Sequence, residues 1–328
     1  AWQQLGWVLP LAASLLLPPL LLAGHVVLAY RRANGARRQL AQLFGQYVPP
    51  ELVDEMSRQP EQHTMSSRSA ELSILFADVR GFTGLAERMP PAELSAMMNL
   101  LFSRLTDIVR SHRGTLDKYI GDCVMAFWGA PVPAQDHAAC AVRAALGMAR
   151  AVEQLNQEHR AQGLPEIGVG IGLNTGLMCV GDMGSNIRLS YTVIGDAVNL
   201  GSRLESITKF YGVKLLVGEG TYDLAPQFLY RLVDKIIVKG KREPVCVYEP
   251  VCRLEDASDG RKQRVEQYNQ ALAHYYSREW DAAEKILRHL HRADPERKLY
   301  NMYLERIDQL RYDVLPDDWM GVFEHRSK

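Results

Sequence analysis

Apolar and polar positions divide the chain into four stretches. From Leu5 to Tyr30 there is no Asp, Glu, Lys or Arg, and leucine dominates. A helix of that length covers roughly 30 Å or more, enough for the hydrocarbon of a bilayer. The pattern predicts a transmembrane segment over residues 1–32, kinked at Pro18-Pro19 or split there into a re-entrant pair. Arg31, Arg32, Arg37 and Arg38 follow it, whereas residues 1–4 carry no Lys or Arg, which places the following bulk in the cytoplasm. A secretory signal peptide would be shorter and preceded by its basic residues. Residues 33–69 read as a connector: Leu40, Leu43 and Phe44 keep helical spacing, Pro49-Pro50 interrupts it, Glu51–Arg58 resumes it, and a polar linker follows.

The central stretch, residues 70–252, mixes two periods. Leu72–Ala77 is a buried-strand pattern ending at Asp78. Ala92–Ser111 is an amphipathic helix with Leu94, Met97, Met98, Leu101, Leu105, Ile108 and Val109 on one face. Thr115–Ile120 and Cys123–Trp128 are short strands around Gly121-Asp122, a hairpin. A helix from Asp136 to His159, a strand Ile167–Leu173, a glycine-rich turn Gly181–Ser185, a strand Leu189–Ile194 and a helix Asp196–Phe210 complete the series. This order predicts an α+β fold of ferredoxin-like βαββαβ type, not a doubly wound sheet. Residues 260–328 are mainly helical and end in a tail after Pro316.

Composition narrows the class. Lys+Arg and Asp+Glu both total 38, so no charge excess draws the chain to nucleic acid, and no nucleic-acid partner is expected. Five scattered cysteines without a Cys-x-x-Cys pair argue for a reduced setting. The nine histidines show no zinc-like spacing.

Candidate chemistry lies in the central stretch. Asp78 in FADVRGFT and Asp122 in DKYIGD fall at the tips of neighbouring strands, where two carboxylates can share Mg²⁺ or Mn²⁺. Such a pair suits phosphoryl transfer. Gly81 would let backbone amides approach a polyphosphate. Asn199 and Arg203, four apart in GDAVNLGSRLE, share one helix face, and an arginine suits a phosphoryl group gaining charge. Lys239 and Lys241 in VKGKRE could attract phosphates. Taken singly, each residue also has a bland reading: an Asp capping a helix, an Asp in a Gly-Asp turn, an Arg paired with Glu205, a charged hairpin tip.

Together, FADVRGFT, LDKYIGDCVMAFWGAP, SYTVIGDAVNLGSRLE and VKGKREPV, in this order and spacing, resemble the class III adenylate/guanylate cyclase catalytic domain. The resemblance covers about residues 70 to 250. It implies that Asp78, Asp122 and the backbone carbonyl of Val79 hold two metal ions per site, Mg²⁺ or Mn²⁺. It further implies that Lys118 and Thr192 read the purine, Asn199 orients the ribose, and Arg203 stabilises the transition state. Lys239, with Gly81 and Phe82, falls among the substrate-binding positions. Such enzymes build each site from two subunits, so a homodimer is implied. Thr192 stands where many members have aspartate, as in a branch that often responds to bicarbonate, and Lys118 argues for ATP. Leu177 stands where some relatives carry a phosphate-contacting arginine.

The function expected is therefore ATP to cyclic AMP and pyrophosphate, in a signalling enzyme anchored in the inner membrane. The alternatives are a guanylate cyclase and an inactive cyclase-like dimerisation module. FGQYVPPELVDEM resembles the connector of bacterial membrane cyclases with an extracytoplasmic sensor, and Ala1 in place of Met leaves room for a sensor upstream. Ala271, Tyr275, Trp280, Ala283 and Pro295 resemble a tetratricopeptide-type helical pair, expected to dock on the catalytic domain or its dimer mate.

Overall fold

The computed structural model describes residues 15–26, 50–58, 66–185, 187, 189–237, 243–317 and 319–324. Contacts divide the chain into two units, Ala1–Thr64 and Met65–Lys328. In the first, helix α1 (15–26) runs unbroken through Pro18-Pro19 with its leucines exposed. Its length is about 18 Å at 1.5 Å per residue. No described helix is long and apolar enough to cross a membrane. The rest of the predicted span and most of the connector lie outside the described residues. Helix α2 (Pro50–Arg58) opens on a proline and buries Leu52, Val53 and Met56, one helical face.

The second unit begins with β1 (Arg68–Arg80), α3 (Phe82–Arg88), α4 (Pro91–Ser111), β2 (Thr115–Ile120), β3 (Cys123–Trp128), α5 (His137–Gln162) and β4 (Gly168–Gly184). Their sheet order is β2-β3-β1-β4, and the β2/β3, β3/β1 and β1/β4 pairs are all antiparallel. That is the strand order of the predicted βαββαβ unit. Two boundaries differ from expectation. β1 continues to Arg80, so Asp78 lies within the ladder opposite Gly170. β4 continues to Gly184 through most of the predicted turn, because β5 (Leu189–Ile194) takes up its hydrogen bonds from Cys179 onward.

One face of β1 buries Leu75, Ala77 and Val79 against Leu101, Leu105 and Val109 of α4 and the alanine-rich side of α5. The other face carries α6 (Asp196–Tyr211). Alternation in β4 explains how α6 fits. Val169, Ile171 and Leu173 point into the first core, while Gly168, Gly170 and Gly172 present bare backbone to the other side. A Cβ on Gly172 would lie 2.1 Å from the Glu205 amide nitrogen and 2.3 Å from the Gly201 carbonyl. The helix thus rests on the strand's main chain.

Beyond α6 come β6 (Leu215–Gly218), α7 (Glu219–Leu224), β7 (Phe228–Ile237) and β8 (Val245–Arg253), which extend the sheet past β4 in the order β6-β8-β7. Helices α8 (Asp259–Tyr276), α9 (Trp280–Ala293) and α10 (Lys298–Leu310) follow, and a short β9 (Phe323–Glu324) pairs with β7. These helices dock on α6 and the sheet. Tyr268, Leu272, Tyr275, Leu287 and Tyr303 join Leu200, Leu204, Tyr211, Leu216 and Val233 in a second core. The aromatic stripe of the tail is therefore packing. At its centre the fully buried Asp234 accepts hydrogen bonds from Tyr211 (2.7 Å), Arg306 (2.7 Å) and Tyr276 (3.2 Å). A buried carboxylate persists only when so partnered.

Gly172→Ala should destabilise the protein by about 3 kcal/mol, the upper range for overpacking, because the obstruction is backbone. The urea midpoint of the full chain measures it, and an unchanged midpoint would contradict the packing described.

Candidate active site

Asp78 stands two residues from Phe76 on β1, on the face turned to α6. Asp122 follows Gly121, whose φ of 64° is a left-handed conformation suited to the tight β2–β3 turn. Because β3 pairs with β1 from Ala77↔Val124 onward, that turn lies beside Asp78. The two carboxyls interact directly. Burial, then the charge of Asp122, pushes Asp78 up to about 6, although the Val79 amide hydrogen-bonds it and pulls the other way.

A third acid belongs to this cluster. Glu205 of α6 is pushed up to about 7, first by burial and then by Asp78, with Asp122 adding to it and Arg80 opposing it. Arg80 hydrogen-bonds the Val213 carbonyl. Burial lowers its pKa and the charge of Glu205 works against that. Cys123 is pushed up to about 12 by burial and by Asp78, Glu205 and Asp122, which leaves it a neutral thiol. From the sequence, Glu205 stands out only as a partner for Arg203. The signal for its true place is the glycine alternation of β4, which seats that side of α6 against the sheet.

Asp78 and Asp122 fit a divalent cation. Two carboxylates that repel each other are a hard-oxygen donor pair whose charge an ion would neutralise. Among the described residues no group of three or more His, Cys, Asp or Glu could hold a metal. An ion between Asp78 and Asp122 would complete its shell with oxygens of the main chain, water or substrate.

Gly81 takes a φ of 69° between β1 and α3, with nothing within 4 Å of where a Cβ would be. Phe82, expected among the substrate-binding positions, opens α3 with its ring packed against the first core. The Lys118 ammonium donates to the Thr192 hydroxyl at 3.0 Å. Both are tied to Asp117, which pairs with Lys118 at 3.0 Å and accepts from Thr192 at 2.5 Å. Nothing in the motifs singles out Asp117; the one hint is an acid beside a lysine in a short strand. Asn199 is exposed and Arg203 half-buried on α6. Among the described residues Arg203 has no ion pair with Glu205 or any other acid. Lys239 lies outside the described residues, between β7 and β8.

This arrangement coincides with kinship. A family model of the adenylate and guanylate cyclase catalytic domain matches residues 64–249, and the chain belongs to that family. An adenylate cyclase of Anabaena cylindrica is 35% identical over 216 residues, 63% of this chain and 42% of the relative. The chain spans less than half the length of the curated relatives it matches first. The crystal structure of the adenylyl cyclase CyaB from P. aeruginosa is similar at 34% identity and a TM-score of 0.54, covering 59% of this chain and all of that one. The guanylyl cyclase Cya2 is similar at 31% identity and a TM-score of 0.52, covering 58% and 97%.

A carboxyl whose folded-state pKa lies above its unfolded value costs stability as pH rises between the two, here from 3.8 to about 6 for Asp78. Asp78→Asn should therefore stabilise the metal-free protein at pH 7, by on the order of 1 kcal/mol after solvent screening. At pH 3.5 it should change little. Thermal melts at the two pH values check this, and equal shifts at both would exclude the charge repulsion as cause.

Proposed function

We propose that this chain is the catalytic part of an adenylate cyclase that converts ATP to 3′,5′-cyclic AMP and pyrophosphate at sites shared by two copies. The observation that carries the reading is the convergence of Asp78 and Asp122, from β1 and the β2–β3 turn, into one coupled acidic pair. The ribose 3′-oxygen attacks the α-phosphorus, the bond to the β-phosphate bridging oxygen breaks, and pyrophosphate leaves. Asp78 and Asp122, with the Val79 carbonyl, would hold Mg²⁺ or Mn²⁺. Bound there, divalent ions favour loss of the 3′-hydroxyl proton and neutralise triphosphate charge. Asn199 orients the ribose, and Arg203 donates to the phosphoryl oxygens as charge grows on them. Lys239 serves as a further triphosphate contact.

Similar solved structures include both adenylyl and guanylyl cyclases, so kinship alone does not choose the purine. Lys118 and Thr192, already hydrogen-bonded to each other, support adenine. Two features support a shared site. Arg203 has no acid partner among the described residues of its own chain. Leu177, Leu189 and Ile194, around the β4–β5 pairing, are more than half exposed, an apolar surface suited to a second copy. The charge-free run Leu5–Tyr30 and the arginines after it support anchoring in the inner membrane with the catalytic unit in the cytoplasm. An upstream sensor and bicarbonate are the candidate inputs. We read α8 and α9 as the tetratricopeptide-type pair.

The test is turnover of the full chain with Mn²⁺ and either ATP or GTP. Cyclic AMP is the expected product. Arg203→Ala should lower kcat by two or more orders of magnitude, since a transition-state arginine is worth about 10³-fold or more. A folded dimer that leaves ATP unchanged would refute the assignment, and a preference for GTP would replace it with the guanylate reading.

A further inference from the structure

The Lys118–Thr192 pair does not stand by itself. Asp117, on β2, is 5% exposed, and its side chain is wholly buried. It accepts a hydrogen bond from the Thr192 hydroxyl at 2.5 Å and forms an ion pair with the Lys118 ammonium at 3.0 Å. Burial raises its pKa, and Thr192, Lys118 and Val193 all pull against that in favour of the carboxylate. Neighbours on a regular strand point to opposite faces, so Asp117 and Lys118 would not normally meet the same residue. Here they do, because the β2/β3 register shifts between Leu116 and Lys118: Leu116 faces Ala126 while Lys118 faces Met125. The extra residue is a β-bulge, a device that re-aims side chains. It turns an acid and a base of β2 together toward Thr192 of β5, a strand that β2 does not pair with.

We propose that Asp117 is a positioning residue that sets purine selectivity by fixing Thr192 as a hydrogen-bond acceptor. The proposal rests on the reading above that Lys118 and Thr192 face the purine edge. A threonine hydroxyl owns one proton and two lone pairs, and in isolation it reads donors and acceptors equally well. With its proton given to Asp117 and one lone pair taken by Lys118, a single lone pair remains. It accepts from the 6-amino group of adenine and repels the 6-oxo group of guanine placed in the same pose. The Lys118 ammonium can only donate, to the unprotonated N1 of adenine and not to the N1–H of guanine. The pair thus presents an acceptor beside a donor, the complement of one purine edge and the inverse of the other. Asp117 touches neither base. Without it the hydroxyl, held by Lys118 alone, can turn its proton toward the base, and the acceptor half of the code is lost.

The experiment compares kcat/KM for ATP and for GTP in the full chain, across Asp117→Ala, Asp117→Asn, Thr192→Val and Lys118→Ala. Asp117→Ala should lower the ATP-to-GTP ratio about 10- to 100-fold, as expected when a site built for one hydrogen-bond pattern loses it. Asp117→Asn, whose carbonyl oxygen still takes the Thr192 proton, should keep the ratio within about threefold of the parent. A purely structural role would depress both substrates together and leave the ratio unmoved. Should the alanine variant fail to fold, Asp117→Ser gives the same reading, because its hydroxyl either gives or takes the proton. An unmoved ratio in Asp117→Ala or Asp117→Ser, with Thr192→Val and Lys118→Ala shifting it, overturns this proposal and leaves the purine-edge reading intact. If none of the variants shifts it, the purine-edge reading itself falls.

Discussion

The contact on which the rest of the structure depends is that of α6 with the bare backbone of β4. Three alternate glycines leave the first half of one strand face without side chains, and at Gly172 and Gly201 main chain meets main chain. Interiors packed at such density transmit displacement instead of absorbing it. α6 is thereby fixed close against the sheet. Away from the sheet it carries the exposed Asn199 and the half-buried Arg203, its sheet-facing side brings Glu205 to the acidic pair, and its last turn sends Tyr211 to Asp234.

The acidic cluster illustrates the opposition between function and stability. Asp78, Asp122 and Glu205 meet with Arg80 as their main positive neighbour, and Arg80 is itself held by a main-chain carbonyl. A fold selected for stability alone would not collect carboxylates at a half-buried point. Perturbed carboxyls gathered in this way are characteristic of functional sites.

Much of this was legible in the sequence, and the remainder failed for definable reasons. The hairpin around Gly121-Asp122 and the helices of the central stretch announce themselves because apolar period and turn chemistry agree there. The extent of β4 does not, because Gly181 and Gly184 read as a turn until a partner strand is known to lie alongside. Asp78 and Asp122 are visible as motif residues, whereas Asp117 and Glu205 are not. Their roles come from a register shift and from a helix lying on a glycine face, both properties of pairing between distant segments. The inward packing of the Phe82 ring is likewise a tertiary property, since it depends on where α3 lies on the first core.

The family match ends at residue 249, within β8. The polypeptide does not come apart there. Asp234 draws two of its three side-chain donors, Tyr276 and Arg306, from beyond that point, and Leu204 and Tyr211 of α6 find their apolar cover there as well. A chain cut along the line of kinship would bare a greasy surface and strand a charge in it. The three tail helices are thus part of the same packed block, and the helix that bears Arg203 lies between them and the sheet.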